Sequence, residues 1–284
     1  MKIIVEQDVI EMFDFSKKMA SNIIKYTKSL YQKGTYNDYV VFKYEGVKNN
    51  PETNDYSMTI PIDHYSPYKN ILGDLPAFKL VYNDNLKNKN GRFFHDGYSY
   101  RIEIASGGAI WDYKIKGDRK ALFNMFDRTH STLVHELVHF VDKIKNKAKF
   151  HPNQSSLNRS EYFLSDEEKK AFQAQAFKYV VDEIKDGLYI VLKHKPKSSV
   201  KEIRLIMDLD YKKIKSDFFG AINSISRQVG ANGISNEYRK ELEVLFDNFY
   251  KIYDRKIDKN IKGILDGSIR TKSDVFLENI YKQK

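Results

Sequence analysis

The sequence predicts an α+β fold, with a small mixed β-sheet in an N-terminal lobe and a mostly helical C-terminal lobe. Three observations carry this expectation. Short runs rich in β-branched and aromatic residues are confined to about the first 115 residues. Turn-forming clusters such as Asn49-Asn50-Pro51 and Asn83-Asp84-Asn85 separate them. From about residue 119 onwards, apolar side chains recur at helical spacing almost to the end. With 284 residues, 41% of them hydrophobic, the chain can bury a sizeable core, as one domain with two lobes or as two small domains.

Taken in order, Ile10, Phe13, Met19, Ile23, Ile24, Tyr26 and Leu30 place a helix over about 9–31, closed by Gly34. Strands are expected over 39–44, 56–60 and 78–82. The strongest strand signal is Tyr98-Ser99-Tyr100-Arg101-Ile102-Glu103-Ile104-Ala105, whose alternation predicts one buried and one wet face. Gly107-Gly108 ends it, and Asp118 after Gly117 is placed to cap a helical region of about 119–146, with a break near Arg128-Thr129-His130. A loop follows at His151-Pro152-Asn153-Gln154-Ser155-Ser156, and a further helix is expected over about 165–187. These boundaries give a first domain of 1–197 and a helical lobe of 198–284.

Within the 119–146 region stands His135-Glu136-Leu137-Val138-His139. Two histidines four apart on a helix lie one turn above each other, so both rings reach one ion. Neutral imidazoles suit zinc, and a glutamate beside the first histidine is placed to take a proton from water at the ion. Leu133, Leu137, Phe140 and Ile144 form one stripe of this helix, thickened by Val134, Val138 and Val141. His135, His139 and Asp142 fall within about 60° of one another on a different face. The helix is therefore expected to bury one side and present a polar, metal-capable face on the other.

A catalytic zinc site takes three protein ligands and leaves a position open. The acidic candidates after His139 are Asp142, Glu161, Asp166, Glu167 and Glu168. Asp142, three residues along the same helix, suits an outer role, orienting an imidazole by its far nitrogen. Ser165 with Glu168 three residues on matches a capping box, which competes with a ligand role for Glu168. Ala171, Ala174 and Ala176 would allow this helix to pack closely on the motif helix.

His135-Glu136-Leu137-Val138-His139 followed by Tyr162-Phe163-Leu164-Ser165-Asp166-Glu167-Glu168-Lys169-Lys170-Ala171-Phe172 resembles the gluzincin class of zinc metallopeptidases, particularly small phage and bacterial members. The resemblance covers roughly residues 98–180 and implies a zincin-like fold binding one Zn2+ per chain. It implies His135, His139 and Glu168 as metal ligands, Glu136 as general base and Tyr162 as oxyanion stabiliser. It also implies that Tyr100, Arg101, Ile102, Glu103 and Ile104 form the strand that pairs with an extended protein or peptide substrate. Glu167 and Glu168 are adjacent here, so both stand as candidates for the third ligand.

The remaining features bear on partners. The net charge is +10, but its Lys-rich clusters at 143–149, 193–197 and 212–215 accompany no nucleic-acid motif and read as solvated helix ends and loops. There is no cysteine, which removes disulfides and thiolate ligands. The first residues lack the apolar stretch of a signal peptide, and no run is long enough to span a bilayer, so a cytoplasmic protein is expected. Leu242, Leu245, Phe246, Phe249, Tyr250, Ile252, Tyr253, Ile257, Ile261 and Leu265 form a broad stripe, read as core or as a docking face for a protein partner. That stripe supports the alternative to an enzyme, a non-catalytic zincin-like scaffold or a virion or assembly interaction protein.

Overall fold

The computed structural model describes residues 2–44, 56–66, 68–86, 90–146, 163, 165–194, 198–231 and 233–265. The elements are α1 (Lys2–Lys33), β1 (Val41–Tyr44), β2 (Tyr56–Ile62), the short α2 (Lys69–Leu72), β3 (Phe78–Asn83), β4 (Gly91–His95) and β5 (Tyr100–Ala105). They continue with α3 (Ala109–Lys116), α4 (Arg119–Arg128), α5 (His130–Asn146), α6 (Asp166–His194), α7 (Val200–Ile206), α8 (Tyr211–Gln228) and α9 (Asn236–Leu265). The expected α+β composition holds. The chain divides into two compact units, Val9–Gln175 and Ala176–Lys284 with Met1–Asp8. The division lies inside α6. That helix runs unbroken to His194, and its residue Phe177 already stacks on Phe218 and Phe249 of the later helices.

In the unit Val9–Gln175, five strands form one mixed sheet in the order β1-β2-β3-β5-β4. All neighbours are antiparallel except β3 and β5, which run parallel with Leu80 opposite Ile102. β5 is thus an inner strand. This corrects the expectation that Tyr100, Arg101, Ile102, Glu103 and Ile104 pair with substrate: β3 occupies one edge of β5 and β4 the other. The second face of β5 is wet at Arg101, which is exposed, but not at the next residue on that face. Glu103 is buried at 2% exposure, accepts a 2.5 Å bond from Arg92 Nε across the β4 pairing, and pairs also with Arg101.

The sequence reading missed β4. Its signals were Asn90-Gly91 at its start and Asp96-Gly97 after it, which bracket the run Arg92-Phe93-Phe94-His95. Asp96 builds the turn into β5, with Oδ1 accepting from the Tyr98 and Ser99 amides at 2.9 and 2.7 Å and Oδ2 from Ser99 Oγ at 2.9 Å. α5 packs over β4 and β5. The Phe140 ring sits 4.8 Å from that of Phe78, 6.1 Å from Phe93 and 5.4 Å from Tyr100, a cluster of edge-on and tilted contacts typical of close-packed aromatic cores.

The helical region expected over 119–146 is two helices. Asp118 caps α4 by accepting from the Ala121 amide at 3.0 Å, and α4 ends at Arg128, where the break was anticipated. In the unit Ala176–Lys284, Ser199 and Glu202 form a capping box at the start of α7, and Asp210 caps α8. Leu242, Leu245, Phe246, Phe249, Tyr253, Ile257 and Ile261 of α9 are buried, so most of its stripe serves as core, while Ile252 and Leu265 face solvent. Arg204 pins α7 to α9 through Asp254 and Asp258. No described helix is long and apolar enough to cross a membrane.

Candidate metal centre

α5 is buried all round from Leu133 to Asp142, so its polar face meets protein rather than solvent. The polar face expected of this helix is there, but it is buried against protein. One row of the helix, Thr132, Glu136 and Phe140 at intervals of four, lies over β4 and β5. The adjacent row, His135 and His139, is met by α6.

There three side chains converge. Glu168 Oε2 lies 3.2 Å from His135 Nε2 and 3.4 Å from His139 Nε2, and the two Nε2 atoms are 3.2 Å apart. His135, His139 and Glu168 are 8%, 4% and 3% exposed. Glu168 reaches the imidazole pair, and the side chain of Glu167 lies outside the described residues. The capping role of Ser165 coexists with this arrangement, because its hydroxyl accepts from the Glu168 amide at 3.4 Å and leaves the carboxylate to the histidines. Ala171 and Ala174, in the next turns of α6, are fully buried, in keeping with close approach of the helix.

Two physical features fit this trio to a metal ion. Glu168 Oε2 is buried, and its near polar neighbours among the described residues are the two imidazole Nε2 atoms. Burying a carboxylate is costly, and a cation held by these three atoms would offset that cost. The spacing also fits. Ligand atoms about 2.0–2.1 Å from a tetrahedral ion stand about 3.3 Å from one another, whereas octahedral geometry at that radius brings neighbours to about 2.9 Å. The observed separations of 3.2, 3.2 and 3.4 Å match the first. Burial by itself pushes the Glu168 carboxyl up, but His139 and then His135 outweigh it and hold the group well below the usual carboxylate range.

Around the trio, Asp142 is 5% exposed and accepts a 2.8 Å bond from Lys170 Nζ, an interhelical ion pair that the sequence reading did not anticipate. Phe172 packs on the His135 ring at 4.9 Å and stacks on Phe163 at 5.1 Å. Glu136 is 5% exposed and lies against β4 at Gly91. Tyr162 lies outside the described residues.

Comparison with protein-family models, curated proteins and solved structures finds no match to this chain. The site therefore rests on its own geometry.

Proposed function

We propose that this protein is a zinc metallopeptidase of gluzincin-like construction, with His135, His139 and Glu168 as the ligands and Glu136 as the general base. The observation that carries the reading is the buried convergence of two imidazole nitrogens and one anionic carboxylate oxygen at tetrahedral separations. Two nitrogens and one oxygen are a donor set suited to zinc rather than to calcium or magnesium, which take oxygen ligands. Three protein ligands also leave a fourth position open, as catalytic zinc sites do.

When bound, zinc polarises a substrate carbonyl and acidifies nearby water. The rest falls to the chain. Glu136 accepts a proton from the attacking water, whose oxygen bonds to the carbonyl carbon. As the C–N bond breaks, Glu136 delivers that proton to the departing amine nitrogen. β4, at the end of the sheet and beside Glu136, offers a strand edge to an extended peptide, taking over the part first assigned to 100–104. Tyr162 remains the proposed donor to the developing oxyanion.

The burial of all three ligands supports a second reading, a structural metal in a scaffold or assembly protein. One experiment separates the two. Protein purified without added zinc is assayed for metal content by elemental mass spectrometry and for hydrolysis of labelled casein, beside Glu136→Gln. About one zinc per chain in both proteins, with activity only in the parent, supports the peptidase. Zinc without activity in either supports the scaffold, and no zinc after reconstitution removes both.

A further inference from the structure

We infer that Gly91 is a positioning residue for Glu136, chosen for the space it leaves rather than for its backbone freedom; this rests on the proposed role of Glu136 as general base. Gly91 opens β4, pairs with Ile104, and is not among the glycines with left-handed φ, so its backbone would accept any residue. Space is what it lacks. A Cβ at this position would stand 2.6 Å from Thr132 Cγ2, 2.7 Å from Glu136 Oε1 and 3.1 Å from Glu136 Cγ.

α5 has little freedom to lift away from such a methyl. Phe140, one turn beyond Glu136 on the same row, is held in the aromatic cluster with Phe78, Phe93 and Tyr100. Thr132 is β-branched and stiff at χ1. The Glu136 carboxylate is the movable group, yet at 5% exposure it has no solvent to move into. The bare Cα of Gly91 thus forms one wall of the carboxylate's seat, and an alanine there pushes the carboxylate aside. His135, His139 and Glu168 converge on the side of α5 that faces α6, so their arrangement does not depend on that wall.

The test is Gly91→Ala in a Thr132→Ser background, which removes Cγ2 and leaves Glu136 as the close contact. Zinc content, kcat and KM on labelled casein, and Tm are measured. The expected result is an unchanged zinc content, a KM within about twofold of the Thr132→Ser parent, and a kcat lower by roughly tenfold to a hundredfold, the scale of a 1 Å misplacement. Tm should fall by a few degrees on adding Gly91→Ala, and this fall should vanish when Glu136→Ala is also present. A kcat equal to the parent's overturns the proposal, as does loss of zinc in the double variant. An equal fall in Tm with and without the Glu136 carboxylate overturns it too. Should the unsubstituted protein hydrolyse nothing, the peptidase reading fails separately, and the Tm comparison, which needs no activity, still decides whether Gly91 seats Glu136.

Discussion

Lys170 Nζ donates a 2.8 Å hydrogen bond to Asp142 Oδ1, joining α6 to α5 two residues beyond Glu168 and three beyond His139. The pair fixes the register of α6 against α5 and so helps aim Glu168 at both imidazoles. Its side chains are 8% exposed at Asp142 and 23% at Lys170. Lys170→Ala leaves a buried carboxylate without this partner and is expected to destabilise the fold by about 1–3 kcal/mol, below the fully buried limit because Lys170 is partly solvated. Zinc affinity should fall roughly tenfold, the lower end for outer-sphere substitutions. Urea titration and competition with a chromophoric chelator check the two values; an unchanged affinity would show that the pair supports the helices alone.

If the trio holds zinc as proposed, removing the metal should destabilise the protein. A ligand present at about a hundred times its Kd stabilises the state that binds it by about 2.7 kcal/mol. Treatment with a chelator is therefore expected to lower Tm, and zinc to restore it. Glu168→Ala should show no response to either, because it loses the one anionic ligand of the trio. Differential scanning calorimetry with and without zinc reads both.

Phe140 is fully buried among Phe78, Phe93 and Tyr100. Phe140→Ala should cost about 3–5 kcal/mol, the loss of an aromatic side chain plus the cavity it leaves. Phe140→Leu, which fills most of that space, should cost about 1–2 kcal/mol. Guanidinium unfolding measures the difference, and equal costs would mean that the cluster closes around the gap.

The β4–β5 turn should open in acid. Accepting from the Ser99 amide first, and also from the Tyr98 amide and the Ser99 hydroxyl, lowers the Asp96 carboxyl to about 2. An acid with a depressed folded-state pKa contributes its stability above its unfolded value of about 3.9 and loses it as pH falls through the folded value. Hydrogen exchange at the Tyr98 and Ser99 amides should therefore accelerate between about pH 4 and about 2, relative to amides elsewhere in β5. Asp96→Asn should flatten that dependence, and a flat profile in the parent would contradict it.

Much of the secondary structure was legible because it follows from local period. α1, α4, α9 and strands β2, β3 and β5 appear where helical or alternating spacing put them. β4 was not, since five residues between two turns carry too little pattern to stand out, and it becomes a strand by pairing with β5. On the outer face of β5, Arg101 is exposed as the alternation predicts, but Glu103 is not. Alternation signals a wet face, but two arginines from β4 and β5 allow a glutamate to be buried there.

The same divide runs through the site. By itself the sequence determined that His135 and His139 share one face of a helix with Glu136 beside them, because a rise of 1.5 Å and 3.6 residues per turn fix such neighbours whatever surrounds them. Tertiary structure alone decided that Glu168 meets that pair, that Lys170 holds Asp142, that Gly91 walls the seat of Glu136, and that 100–104 is an inner strand. These contacts join residues far apart in the chain. They are set by how helices and strands pack to fill the core, which no local spacing encodes.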